Sequence, residues 1–485
     1  MKKITYIDLV RVINSTRYIA NKKKLILSFI GLTFLTLDGC KKLVEIDTPI
    51  TQIATTNVFS NDNTAIAAQL SVYIQMKGLP ANMELAMGLS ADELNSTTTD
   101  GTYRPIYLNA LTFLNGGVGQ WTTAYAIIYQ ENAIIENVQT SDKLSIKVKN
   151  LLIGEAQFMR AYWYFYLVNL YGDVPLVTTT DYTKNSAMAR TPKDQVYQQI
   201  VTDLLSAKSL LSTQYLDGAD ANVVVDRIRP TTWAADALLA RVYLYTNKYA
   251  DAITQSSLVI SNTSMFSLPN DINAVFKANS NEAIWQIAPQ PNNPTSEATN
   301  FILITSPVTA ISSSSTISPQ LLNAFESNDK RKANWVGMIT VSGNTYYFPY
   351  KYKLLTTSGE YSMILRLAEQ YLIRAEAEAQ NNDLASAIND LNIIRNRAGI
   401  SPLVTTLTKD QVLAAVAQER RVELFTEGQR WLDLKRTGTL DAVMGTPSNA
   451  NLAKGGAGWQ PYQAFYPIPQ ADITNNPNLK QTPGY

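Results

Sequence analysis

The chain has 485 residues, 46% hydrophobic and 17% charged, the composition of a globular protein that can build one large or two ordinary domains. It has no histidine, which excludes Ser-His-Asp and Cys-His catalysis and every imidazole metal site, and its single cysteine, Cys40, excludes internal disulfides and thiolate clusters. From Cys40 onward 34 basic residues stand against 38 acidic ones, a net charge of −4 without Lys/Arg runs, so nothing favours displacement of nucleic-acid counterions.

In chain order, Lys22-Lys23-Lys24 precedes an apolar run from Leu25 to Leu37, and Asp38-Gly39-Cys40 follows. A basic segment, about 13 apolar residues and a small residue before cysteine resemble a bacterial lipoprotein signal. The run is short of the ~20 residues a membrane span needs. Residues 1–39 are therefore expected to be a signal peptide and Cys40 the lipidated first mature residue, its acyl chains anchoring without spanning. Residues 40–56, polar and interrupted by Pro49, read as a tether, and residues 57–485 as a single domain.

Apolar residues at three- and four-residue spacing predict helices over Asn57–Gln75, Trp121–Val138, Ser145–Tyr171, Thr191–Leu211, Thr231–Ser261, Ser362–Gln380, Leu384–Ala398 and Lys409–Phe425. Gly172 and Pro175 end the third, and Thr408 with Gln411 forms a capping box for the last. Ala240, Tyr243, Asn247, Tyr249 and Ala252 fall at the offsets of a tetratricopeptide hairpin, and Tyr371, Ala375, Asn382, Ala387 and Leu391 repeat much of that arrangement. Between these helices two stretches are loop-rich, residues 87–119 and 271–360, the latter with strand-like runs at Ala283–Ala288 and Tyr346–Tyr352. Loops held on a rigid frame are where binding residues usually sit.

The stretch Gln418–Gly438 is dense in both charge signs. Glu419, Glu423 and Glu427 share one face if the helix runs that far. Two of them would satisfy the carboxylate pair of a glycosidase, which needs no histidine. An ion-pair lattice with Arg420, Arg421 and Arg430 is favoured instead, because adjacent guanidiniums hold carboxylates ionised rather than raise one for acid catalysis.

Glu419-Arg420, Glu423-Leu424, Glu427-Gly428, Arg430-Trp431, Asp433-Leu434, Arg436 and Gly438 together resemble the SusD/RagB family of Bacteroidetes outer-membrane nutrient-uptake lipoproteins. So do Tyr171–Leu176, Asp329-Lys330-Arg331, Leu365–Glu378, Ile394–Gly399 and the ending from Tyr466-Pro467-Ile468-Pro469 to Thr482-Pro483-Gly484-Tyr485. The resemblance implies a mostly α fold of tetratricopeptide-like hairpins with long loop-rich insertions and little β structure. It also implies a cell-surface lipoprotein that captures an oligosaccharide, or an oligopeptide, for a SusC-like TonB-dependent transporter, without catalysis, cofactor, metal or nucleic acid. An intracellular helical-repeat scaffold and a surface glycoside hydrolase are the competing classes; the lipoprotein signal opposes the first and the lack of a convincing carboxylate pair the second.

A glycan site needs aromatic faces for sugar C–H surfaces and amides or charges for hydroxyls. Asn95, Asp100, Tyr103, Arg104 and Tyr107 in the early loops meet that need, with Asp92 nearby. The family resemblance points to the same loops. Thr97-Thr98-Thr99-Asp100-Gly101 is a turn that should hold Tyr103 and Tyr107 at the surface. Trp285, Trp335, Tyr346 and Tyr347 are the alternatives in the second region, with core packing favoured for both tryptophans.

Overall fold

A computed structural model describes residues 55–114, 119–218, 222–307, 314–357, 359–445 and 454–485. The expected signal peptide, Cys40 and the tether up to residue 54 lie outside the described residues.

Asn61, in extended conformation, interrupts the first predicted helix and caps α1 (Asp62–Gln75) by accepting from the Thr64 N–H at 3.1 Å. The chain continues through α2 (Leu79–Ser90), β1 (Leu94–Ser96) and α3 (Tyr103–Tyr107), so the stretch expected as early loops carries three short elements. The long helices α4 (Gln120–Thr140) and α5 (Ile146–Tyr171) follow, the latter ending at Gly172 with φ 75°. Next come α6 (Tyr182–Asn185), α7 (Lys193–Leu210), α8 (Thr232–Tyr245) and α9 (Tyr249–Ser261). The predicted Thr231–Ser261 helix is thus two helices, turned at Asn247 with φ 58°.

The middle of the chain supplies β2 (Ala283–Ile287), β3 (Ser315–Ile317), α10 (Lys330–Trp335), the hairpin β4 (Val336–Val341) and β5 (Asn344–Pro349), and β6 (Ser362–Arg366). The last helices are α11 (Leu367–Gln380), α12 (Leu384–Ala398), α13 (Lys409–Glu423), α14 (Arg430–Arg436) and α15 (Gln470–Asn475). Residues Ser362–Arg366 were expected to be helical. They pair with β2 instead, all five buried, because a short continuous apolar run fits a doubly covered strand as well as a helix. The capping box of α13 is present, with Thr408 and Gln411 bonding each other's backbone.

The helices stack in sequence: α4 against α5, α5 against α7, α7 against α8, then the hairpins α8–α9 and α11–α12 directly against one another. These hairpins are over a hundred residues apart in the chain, yet they form adjacent repeats. Small residues at the crossing permit it, Ala240, Ala252, Ala375 and Ala387 all being fully buried. Arg241 on α8 meets Glu369 on α11 in a buried two-bond pair, both at 2.6 Å, which fixes their register. Aromatic α5 runs through the core, where Phe158 and Tyr162 each meet Trp285 edge-on. Its Arg160 ties α5 to α7 through Asp203 at 2.6 and 2.8 Å.

Three two-stranded antiparallel sheets, β1–β3, β2–β6 and β4–β5, complete the frame. Among the described residues no helix is long and apolar enough to cross a membrane.

Candidate functional site

The early turn forms as its composition dictates. Asp100 Oδ1 accepts from the backbone N–H groups of Thr102 at 2.8 Å and Tyr103 at 3.0 Å, and so starts α3. In one turn of helix, residues four apart share a face. That face, Tyr103 and Tyr107 with Ile106 beside it, packs into the main core, and Tyr103 and Tyr107 are each only 7% exposed. The expectation that these rings stand at the surface is corrected: the turn presents Arg104 and Pro105 outward and delivers both tyrosines inward. Burial, with Asp100 close by, pushes the Tyr103 hydroxyl up to about 12, and burial likewise raises Tyr107. Lys454 lies 5.1 Å over the Tyr107 ring and donates to the carbonyls of Leu89 and Ala91 at 2.9 and 3.0 Å, pinning this face.

The two loop-rich regions meet here. β1 pairs with β3, Leu94 opposite Ile317, Asn95 opposite Thr316 and Ser96 opposite Ser315. The ladder is extended by Thr97 N–H to the Ser314 carbonyl at 3.0 Å and by Ser318 N–H to the Glu93 carbonyl at 2.9 Å. On its other side β3 packs against β5, which carries Tyr346 and Tyr347, both half-buried. Asn95, Asp100 and Arg104 are also half-buried, so polar groups from one region and aromatic edges from the other lie on connected elements.

Other residues named from sequence have structural partners. Asp92 is buried and held by Arg421 at 2.7 Å and Arg430 at 2.8 Å. Against the cost of its burial these guanidiniums keep its carboxyl below the usual range. Trp285 and Trp335 are fully buried, their indole N–H groups donating to the Ile228 and Ile272 carbonyls. The most exposed tyrosine among the described residues, Tyr182 at 78%, was not anticipated from sequence. Its setting in a Thr/Asp/Asn-rich connection was the available signal.

The acidic face of the C-terminal motif is an ion-pair lattice, but not with the expected partners. α13 stops at Glu423, and the turn through Thr426 and Gly428, both at positive φ, carries Glu427 off the helix. Glu423 is fully buried among Arg331 at 3.0 Å, Arg366 at 2.7 Å and Arg397. Glu427 bonds Arg366 at 2.7 Å and Lys351 at 2.5 Å, and Glu419 bonds Arg331 at 2.5 Å and Arg395 at 3.2 Å. Burial alone would raise Glu423 and Glu427, but the surrounding cations hold both below the carboxylate range; at Glu419 burial wins and the pKa is raised.

Arg420 turns instead to Asp433 at 2.7 Å, and with Arg421, Arg430 and Arg436 it lines a cavity of about 500 Å³. That cavity also holds Glu93, whose carboxyl burial pushes to about 8. Among the described residues no group of three or more metal-ligating side chains is present.

Comparison with known proteins agrees with this architecture. A family profile described as starch-binding, associating with the outer membrane, matches residues 52–244, and the SusD family profile matches residues 320–485. The SusD-like protein P2 of Formosa agariphila is 27% identical over 96% of this chain and all of its own length. The starch-binding protein SusD of Bacteroides thetaiotaomicron is 35% identical over 25% of this chain and 21% of its own. Among solved structures, a SusD superfamily protein from Parabacteroides distasonis superposes with a TM-score of 0.75 at 22% identity, covering 90% of this chain and all of that one. A laminarin-binding SusD-like protein superposes at 0.72 and 22% identity, covering 88% of this chain and all of that one. With family profiles matching both ends of the domain and whole-length relatives sharing its helical-hairpin frame, the chain belongs to the SusD family.

Proposed function

We propose that this chain is a cell-surface lipoprotein without catalytic activity that captures an oligosaccharide and hands it to a partner SusC-like TonB-dependent transporter of the outer membrane. The observation that carries the reading is the meeting of two distant loop-rich regions through β1–β3, which sets Asn95, Asp100 and Arg104 on a frame connected to Tyr346 and Tyr347. Held on packed helices, such a surface keeps its polar groups in place and loses little entropy on binding. The relatives whose names state a ligand are starch- and laminarin-binding, so glucans are the first ligands to test. Absence of catalysis follows from the lattice, in which each carboxylate that could form an acid–base pair is already bonded to two or more cations. Tyr103 and Tyr107, with 7% exposure, contribute by shaping the surface rather than by stacking.

Calorimetry against starch and laminarin oligosaccharides, and against oligopeptides, tests the reading. Asn95→Ala combined with Arg104→Ala is expected to weaken sugar binding about tenfold or more with an unchanged melting temperature, as loss of two polar contacts implies. Tight peptide binding without sugar binding would replace the oligosaccharide by an oligopeptide.

A further inference from the structure

Beyond α5 the backbone makes a second concave surface on other elements. Gly172 turns the chain, which then runs across α4 and α5, where the Tyr125 hydroxyl donates to the Pro175 carbonyl at 2.8 Å and the Tyr164 hydroxyl donates to that of Val177 at 2.9 Å. From there α6 stands away from the frame. Asp181 caps it through the Thr183 N–H at 3.0 Å, and Asn185 Nδ2 bonds back to the Thr179 carbonyl at 2.7 Å. The opposite wall is α15 and the turn after it, where Asn476 Nδ2 donates to the Met188 carbonyl at 2.8 Å and Asn478 Nδ2 to that of Ala187 at 2.7 Å. Between the walls lies an open groove of about 420 Å³.

Its lining has a definite chemistry. Trp121 and Tyr125 form the aromatic floor, 4.8 Å apart between ring centroids. Tyr182 forms a free-standing wall at 78% exposure. Asn185, Asn475 and Asp472 supply polar groups. The Asn185 Oδ1 is buried with no hydrogen-bond partner, an acceptor whose desolvation is uncompensated until a donor reaches it. No Lys or Arg lines the groove, and Asp472 is its one carboxylate. An acidic ligand would meet repulsion there without a compensating cation. A neutral ring bearing hydroxyl donors on its rim and C–H groups on its faces fits both the unpaired acceptor and the tyrosine wall.

We infer that this groove is a second saccharide subsite, taking one unit of a neutral glycan against Tyr182 with its hydroxyls on Asn185, Asn475 and Asp472. The inference rests on the glycan-binding reading above. It extends that reading from one surface to two and excludes charged units from the second.

The test is calorimetry on the full chain with hexasaccharides of starch, laminarin, cellulose and mannan, with oligogalacturonate as the acidic probe, and with oligopeptides. Parent, Tyr182→Ala, Tyr182→Trp, Asn475→Ala and Arg104→Ala chains are compared, with melting temperature alongside. For a neutral hexasaccharide that the parent binds, Tyr182→Ala is expected to weaken affinity about fivefold to tenfold, the worth of one ring contact. Asn475→Ala should lower it as well, Tyr182→Trp should retain it, and melting temperatures should not move. Parental affinity in Tyr182→Ala alongside a loss in Arg104→Ala would place all binding on the β1–β3 surface, overturning the groove and leaving the glycan reading intact. Tyr182-dependent binding of oligogalacturonate would overturn the neutral assignment. Binding of peptides but of none of the sugars would overturn the groove and the glycan reading together.

Discussion

Glu423 shows how one side chain organises the far end of the domain. Three guanidiniums from three elements, Arg331 of α10, Arg366 of β6 and Arg397 of α12, converge on it with no exposure to water. Replacing it by Gln would leave three buried cations short of charge, and loss of one partner from a buried pair costs about 3–5 kcal/mol. Glu423→Gln should therefore lower the denaturation midpoint sharply, while assays for released sugar stay blank in parent and variant alike. A carboxylate lattice was legible from the motif, but its partners were not, since local sequence shows Arg420, Arg421 and Arg430 while the actual cations arrive from distant positions. Buried acids outside the lattice behave oppositely. Burial raises Glu93 to about 8 and Glu297 and Glu378 each to about 7, against an ordinary value of 4.5. Between pH 5 and 7 the folded chain keeps protons on these groups that the unfolded chain releases, so stability falls as pH rises, by up to about 1.4 kcal/mol per pH unit per group. Below about pH 4 the sign reverses, because Asp92, Glu423, Glu427 and Asp433 have lowered folded pKa values and lose their stabilising contribution on protonation. The melting temperature should peak near pH 5, and Glu93→Gln should flatten the decline above it.

Among the elements, the two helical hairpins were the most legible, because a pattern of small and aromatic residues reports how closely two helices approach. Their turns depend on single asparagines, Asn247 at φ 58° between α8 and α9, and Asn382 at φ 65° between α11 and α12. Asparagine tolerates this left-handed region, whereas a β-carbon without a side-chain amide costs about 1–2 kcal/mol there. Asn382→Ala is expected to destabilise by about that amount and Asn382→Gly by much less, as urea denaturation would show. Asn247→Ala should cost slightly more, because its Oδ1 also accepts from the Tyr249 hydroxyl at 2.9 Å. Two elements were misread for opposite reasons. Ser362–Arg366 is apolar at every depth it occupies, so periodicity does not separate a strand from the helix it precedes. Tyr103–Tyr107 is one turn long, too short for periodicity to register, yet that turn decides whether two tyrosines face ligand or core.

For the whole molecule, the meeting of the two loop regions was the least legible feature, since Asn95 and Thr316 pair across more than two hundred residues and neither three-residue strand has a pattern of its own. Composition and motif located both regions without revealing that they form one surface. Membrane attachment follows a different logic. No described helix is able to span a bilayer, and the segment that reads as an anchor ends at Cys40, outside the described residues. If the proposed lipid anchor holds this domain at the outer membrane, the attachment resides in acyl chains on one sulfur and in no part of the folded frame. Acyl chains bind through about 0.8 kcal/mol per buried methylene, so their loss releases a protein that has no other apolar attachment. Cys40→Ala is therefore expected to abolish incorporation of labelled fatty acid and to move the protein from the membrane to the soluble fraction, with glucan affinity unchanged in the purified chain. Retention on the membrane without label would assign the anchor to the uncleaved Leu25–Leu37 run. Retention that vanishes only when the TonB-dependent transporter is deleted would assign it to the partner.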